Sequence, residues 1–327
     1  MNKSYLLPFL FLVTAVFIAG CQSKTPLPPA SPSEEPTAAS HPTKTPHPPT
    51  EEVLSAKTPV PSAQALGDRA TRSRDGMQMV FVPGGKFVMG SDEAEVDFAL
   101  AQCKNYGANC ARRYFSVEMP LHTVRLDSFW LDMTEVTSSQ YQGCVLDGAC
   151  EPAGCSSAGA DYPVVCVPWD QAAAYCQWAG TRLPTEAEWE YSARGAGRFR
   201  YPWGDDFNGT LLNYCDSSCT LSKQDDEFDD GYAESAPVGS YPQGASWVGA
   251  LDMAGNVWEL VADWNGNYSE GELMNPTGPE TGSRRVARGG SWHASPYHVR
   301  SALRTHMGPL DTVDHAGFRC AQSSPTN

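Results

Sequence analysis

The sequence predicts an α+β domain of short strands and helices, rich in turns and disulfides, over residues 75–321 of a 327-residue chain. Three observations point there. Ten cysteines lie between 103 and 320, an even set. Period-two apolar runs occur in the same stretch as windows that begin with helix-capping residues. Twenty-nine glycines beside nine Trp and thirteen Tyr indicate turns packed around large aromatics. Roughly 250 residues suffice for one substantial core, and no linker divides them.

Taken in order, residues 79–82 (Met-Val-Phe-Val), Pro83-Gly84-Gly85 and residues 86–90 read as a hairpin with a glycine turn. Residues 122–126 alternate as a half-buried strand should. Thr137 is placed to cap a helix through Tyr141, and Asp170 another through Trp178, ended by Gly180. Thr185 and Glu188 have the spacing of a capping box at the start of a helix over 186–194. Beyond it turns dominate. Local spacing suggests pairing Cys103 with Cys110, Cys144 with Cys150, Cys155 with Cys166 and Cys215 with Cys219, which leaves Cys176 and Cys320. Zinc is disfavoured because no matching second pair follows any of these spacings.

The remaining cysteine has a different setting. Lys3 precedes an apolar run over 5–19, shorter than the ~20 residues a membrane-crossing helix needs, so residues 1–20 read as a cleaved export signal. Ile18-Ala19-Gly20-Cys21 resembles the bacterial lipobox, which makes Cys21 the expected lipid anchor. In a two-membrane cell Gln22 disfavours retention at the inner membrane, and in a one-membrane cell it carries no information; the expected address is the cell envelope, at an outer membrane or the cell surface. Residues 21–74 form a spacer: eleven prolines between 26 and 61 remove backbone donors and leave little apolar surface to bury. In an oxidising compartment the other ten cysteines read as a disulfide framework. A net charge of −15 excludes nucleic acid and anionic lipid as partners of the domain.

Six strings in order carry a family resemblance: Trp-Ala-Gly-Thr-Arg-Leu-Pro-Thr-Glu-Ala-Glu-Trp-Glu-Tyr at 178–191, Tyr-Pro-Trp-Gly at 201–204, Ala-Pro-Val-Gly at 236–239, Asp-Met-Ala-Gly-Asn-Val-Trp-Glu at 252–259, Arg-Gly-Gly-Ser-Trp at 288–292 and Gly-Phe-Arg-Cys at 317–320. Together they resemble the formylglycine-generating enzyme, or sulfatase-modifying factor, family across essentially the whole domain. The resemblance implies a C-type-lectin-like core with little regular secondary structure, and a bridge between Cys176 and Cys320. It also implies the chemistry to look for, since aerobic members bind Cu(I) through two thiolates and oxidise a sulfatase cysteine to formylglycine. Soft thiolates are what Cu(I) selects. Here Ala294 stands at the first thiolate position, the second falls near Val299, and no cysteine occurs between Cys219 and Cys320. Copper-thiolate oxidation is therefore not expected of this chain.

The family's calcium loops transfer better, because calcium takes hard oxygens from carboxylates and turn carbonyls. The resemblance assigns Asp252, Gly255, Val257 and Glu259 to one structural site, with Asp252 where the family often has Asn. It assigns Asn213, Tyr214, Asp230 and Tyr232 to another, in a stretch whose acids Asp225, Asp226, Glu227 and Asp229 read otherwise as a solvated loop. Ser291, Trp292, His293, Trp258, Arg300 and Arg304, with Tyr297, outline a candidate pocket with aromatic walls and cationic tips, suited to a peptide, protein, cell-wall ligand or small anion. His293, His298, His306 and His315, with Asp311 or Asp314, are the one source of non-thiolate metal chemistry. The expectation is a lipid-anchored binding module of this family; the alternative is an oxidase with such a metal site.

Overall fold

The structure, a computed structural model, describes residues 64–106, 109–220 and 224–324. The export signal, Cys21 and the proline-rich spacer up to residue 63 lie outside the described residues. The domain begins earlier than residue 75. Strand β1 (Arg69–Thr71) pairs with β2 (Gln78–Val82), and between them Arg72 binds Asp75 at 2.7 Å and Asp132 at 2.6 Å, all buried. Three residues are too few for a legible alternation, which is why the sequence alone places this strand in the spacer.

The expected hairpin does not form. β2 and β3 (Gly85–Met89) are one chain segment bent at Pro83-Gly84, and they pair with a second bent segment, β5 (Phe129–Asp132) and β4 (His122–Leu126). The antiparallel register continues through the bend, since Val82 faces Phe129 and Gly85 faces Leu126. Glycine is required at the corner: a Cβ on Gly84 would sit 2.9 Å from Leu126 O and Ser128 N. The bend divides one ladder between two sheets. The first has the order β1-β2-β5-β11, with β11 at Ala321–Ser323, and the second is β3-β4-β7, with β7 at Glu272–Met274. A third sheet comprises β10 (Ala316–Gly317), β6 (Trp258–Trp264), β8 (Arg285–Arg288) and β9 (Arg304–Met307) in that order.

Four helices pack on these sheets. α1 (Glu93–Asn105) carries an Asp92/Glu95 capping box that sequence reading passed over. α2 (Ser138–Leu146) starts at Thr137 as expected, with Gln140 completing the box, and runs past Tyr141. α3 (Trp169–Trp178) is entered from Pro168; Asp170 sits inside the first turn and does not cap it. α4 (Glu186–Arg194) matches its expected bounds and its Thr185/Glu188 box.

Two main cores result. Tyr141, Tyr175, Phe318 and the Cys176–Cys320 bridge fill one, between α2, α3 and the C-terminal strands. Trp189, Val82, Leu131 and Val261 fill the other, around α4. All five bridges pair as local spacing and the remainder suggested: 103–110, 144–150, 155–166, 176–320 and 215–219. No helix among the described residues is long and apolar enough to cross a membrane.

Candidate calcium loops and ligand cleft

The loop from 252 to 257 folds through left-handed backbone, with φ of +57° at Asp252, +81° at Gly255 and +55° at Asn256. Such reversals turn carbonyls outward from the chain path, and glycine takes them at least cost. The loop lies on the segment carrying Asn213: a Cβ on Gly255 would come within 2.0 Å of Asn213 O, and Asn256 N donates to that oxygen at 2.8 Å. The two loops assigned to separate calcium sites are thus packed against each other.

The groups present fit a hard cation unevenly. Asn213 Oδ1 is buried and has no hydrogen-bond donor, while its Nδ2 donates to Glu234 O at 2.8 Å. Asp230, beside it, accepts from Tyr214 N and Tyr232 N, both at 2.9 Å, and binds with Asp216 through its own N–H. Burial, with Asp216 and Asp229 nearby, pushes its carboxyl up to about 7. The carbonyls of Tyr214 and Tyr232 already accept from Asp216 N at 2.9 Å and Ser218 Oγ at 2.6 Å, leaving one lone pair each.

In the other loop, Glu259 is engaged by Arg319 at 2.6 and 2.7 Å and by Trp189 Nε1 at 2.8 Å. A buried ion pair, not a loop ligand, is its principal contact. The free capacity belongs to Glu135, which sequence reading missed and which no local pattern marks. Its Oε2 is buried with no partner, and burial together with Asp252 raises it well above the carboxylate range. Asp252 accepts from Gly239 N at 2.6 Å and is raised in the same way, by burial first. Among the described residues no three His, Cys, Asp or Glu side chains converge as a metal-ligand group. Calcium here would draw on Glu135, Asp252, Asn213 Oδ1, Asp230 and turn carbonyls, and would supply the positive charge that these buried oxygens lack.

Ala294 and Val299, at the expected thiolate positions, are buried in an apolar cluster with Tyr201, Leu212, Tyr214 and Ala254. The six expected pocket residues do not share one pocket. Ser291 is fully buried, its hydroxyl 3.3 Å from His293 Nδ1. Trp292 packs on Val165, Val257 and the Cys155–Cys166 bridge. The His293 ring lies against that of His315, centroids 4.0 Å apart and tilted by 47°, and Asp314 holds His315 Nδ1 at 2.9 Å. Arg300 is buried beneath, bonded to Glu118 at 2.6 and 3.1 Å, so it is no cationic tip. Of the four histidines only His293 and His315 are in ring contact; His298 lies near His293 and lines a cleft together with His306, while Asp311 accepts from Gly308 N at 2.7 Å.

Trp258 and Arg304 do line a cleft of about 600 Å³, with Tyr297 and His298. Arg304 gives its guanidinium to Glu186 at 2.7 and 2.8 Å, so its charge is matched. Burial and the nearby Arg300 lower His298 to about 4, leaving it neutral at physiological pH. The opposite wall comes from the segment after α1, where the Cys103–Cys110 bridge leads into turns at Arg112–Tyr114 and Ser116–Glu118. Phe115 faces inward from it, and Tyr114 and Val117 stand exposed at the rim. Sequence reading missed this wall, although the close cysteine pair was its signal.

Comparison with known proteins agrees over the whole domain. Residues 64–324 match the family described as the sulfatase-modifying factor enzyme 1-like domain. The formylglycine-generating enzyme of Streptomyces coelicolor is 34% identical over 327 residues, spanning 83% of this chain and 97% of that protein. The inactive Cα-formylglycine-generating enzyme 2 of Mus musculus is 37% identical over 171 residues, half of each chain. Among solved structures, PvdO from Pseudomonas aeruginosa superposes with a TM-score of 0.61 at 27% identity, covering 80% of this chain and all of that one.

Proposed function

This chain belongs to the formylglycine-generating enzyme (sulfatase-modifying factor) family, and from that premise we propose that it is a member without copper-thiolate chemistry, acting as a binding module on a lipid anchor. One observation carries the reading: Ala294 and Val299 fill the thiolate positions and are themselves core residues, so no metal-binding sulfur is present there. An inactive relative in the same family supports it. The cleft at Trp258 is the binding surface in this reading. Its volume and aromatic walls suit a small molecule or a short segment of a larger ligand.

Five disulfides fit an oxidising, extracytoplasmic setting. Cys21 supplies the tether in this reading, and calcium in the paired loops supplies rigidity. Incubating the full chain with Cu(I), oxygen and a Cys-x-Pro-x-Arg peptide tests the loss of oxidase activity: the expected product is none, and an aldehyde detected by mass spectrometry sinks the proposal. Radiolabelled fatty acid incorporated into the wild type but not into a Cys21→Ser variant tests the anchor.

The alternative, an oxidase with an imidazole-held metal, draws on the contact between His293 and His315 with Asp314 behind. Two imidazoles fall short of the three-ligand sets typical of such centres. Metal analysis of protein purified without chelator decides it, because stoichiometric iron or copper would favour the oxidase.

A further inference from the structure

The chain carries a net charge of −15, yet no Asp or Glu lines the cleft at Trp258, whereas the other cavity of about 600 Å³ is lined by Asp127 and Glu188. The nearest acids are turned away. Glu118 and Glu186 lie behind Arg300 and Arg304 and are neutralised by them. On the rim, Arg113 has no carboxylate partner among the described residues. Its guanidinium lies 4.7 Å over the Tyr114 ring, and Nη2 donates to Tyr114 Oη at 3.0 Å. The neighbouring Arg112, by contrast, is bound to Glu93 and Asp97. His306 is exposed on the facing wall.

We propose that this cleft selects a small organic anion with a flat aromatic body, its ring lying between Tyr114, Phe115 and Trp258 and its carboxylate or similar group reaching Arg113. The inference rests on the binding reading above and adds to it the class of ligand. The physical grounds are three. An aromatic floor offers stacking area to a planar body. Arg is the side chain best suited to hold a carboxylate in a two-pronged bond. The acid-free lining avoids the repulsion an anion would meet elsewhere on this surface. The Cys103–Cys110 bridge sits at the base of the segment carrying Arg113 and Tyr114, so it holds that arm against the cleft.

Calorimetric titration of the full chain with 2-naphthoate, 2-naphthalenemethanol and 2-naphthylmethylamine separates the possibilities. The expected result is that naphthoate binds at least about tenfold more tightly than the alcohol, and the amine more weakly than either. Arg113→Gln should remove the preference for the anion while leaving the alcohol unchanged, and Arg113→Lys should restore part of it. Tyr114→Ala should weaken both anion and alcohol. Equal binding of anion and alcohol, untouched by Arg113→Gln, overturns the charge selection but leaves the cleft a binding site. If none of the three binds, the cleft reading falls and this inference with it.

Discussion

Arg300 reaches the interior, where a guanidinium is tolerated because Glu118 meets it at 2.6 Å with both partners buried. Removing one partner strands the other. Arg300→Met should therefore cost about 3–5 kcal/mol in a denaturant titration, and the double variant with Glu118→Leu should regain most of that. Asp263 is a second case. Burial, with Glu186 close by, raises its carboxyl to about 7, while one oxygen accepts from Glu186 N at 2.9 Å. An acid whose folded pKa is raised contributes stability that is complete below its unfolded value of 3.8 and is lost as pH rises through about 7. Asp263→Asn keeps the acceptor and deletes the charge. The variant should match the wild type near pH 4 and exceed its melting temperature increasingly from pH 5 to 8; parallel curves would refute the assignment. Neither pair is legible in sequence, because Glu118 and Arg300 lie 182 residues apart and nothing local marks them as partners.

Elements were legible where their signals are local. A cap at Thr137 and a capping box at Thr185 and Glu188 marked the starts of α2 and α4, since a cap is built from residues close in sequence. Strand partners were not, because pairing depends on what arrives from elsewhere: Pro83-Gly84 reads as a tight turn but is a corner between two sheets. Gly84→Ala should destabilise the domain by about 1–3 kcal/mol, because the methyl would meet backbone atoms at 2.9 Å that have no room to move. α4 misleads in a different way. Glu-Ala-Glu-Trp-Glu-Tyr-Ser-Ala-Arg has the composition of a surface helix, yet all nine residues are buried. Arg288 and Arg304 from two other segments, Arg182 from just before the helix and Arg194 from its own last turn neutralise its acids. The Cys103–Cys110 staple closes a short loop, so Cys103→Ser with Cys110→Ser should cost at most ~2.5 kcal/mol of stability. The arm at the cleft should become more susceptible to protease at Arg112 or Arg113, and unchanged cleavage there would show that the bridge does not hold it.

At the scale of the whole molecule, the two loops proposed to hold calcium sit where the segments around 135, 213, 230 and 252 meet. If calcium supplies the missing charge, adding it at a hundred times its dissociation constant should stabilise the fold by about 2.7 kcal/mol, a rise of about 5 °C in Tm. Chelation should reverse the rise, and Glu135→Gln should reduce it; a melting curve indifferent to calcium and chelator would remove calcium from the account. The sequence by itself determined the family, the starts of α2 and α4 and the absence of cysteine at the thiolate positions, and it suggested the disulfide pairing. Each is written in residue identity or in spacing along the chain. Only the tertiary structure decided that Arg300 and Arg304 are bound to buried acids, that Glu135 stands beside Asp252, and that an acid-free cleft opens at Trp258. Those facts depend on which distant charges come within bonding distance after the chain folds, and residue spacing carries no measure of that distance.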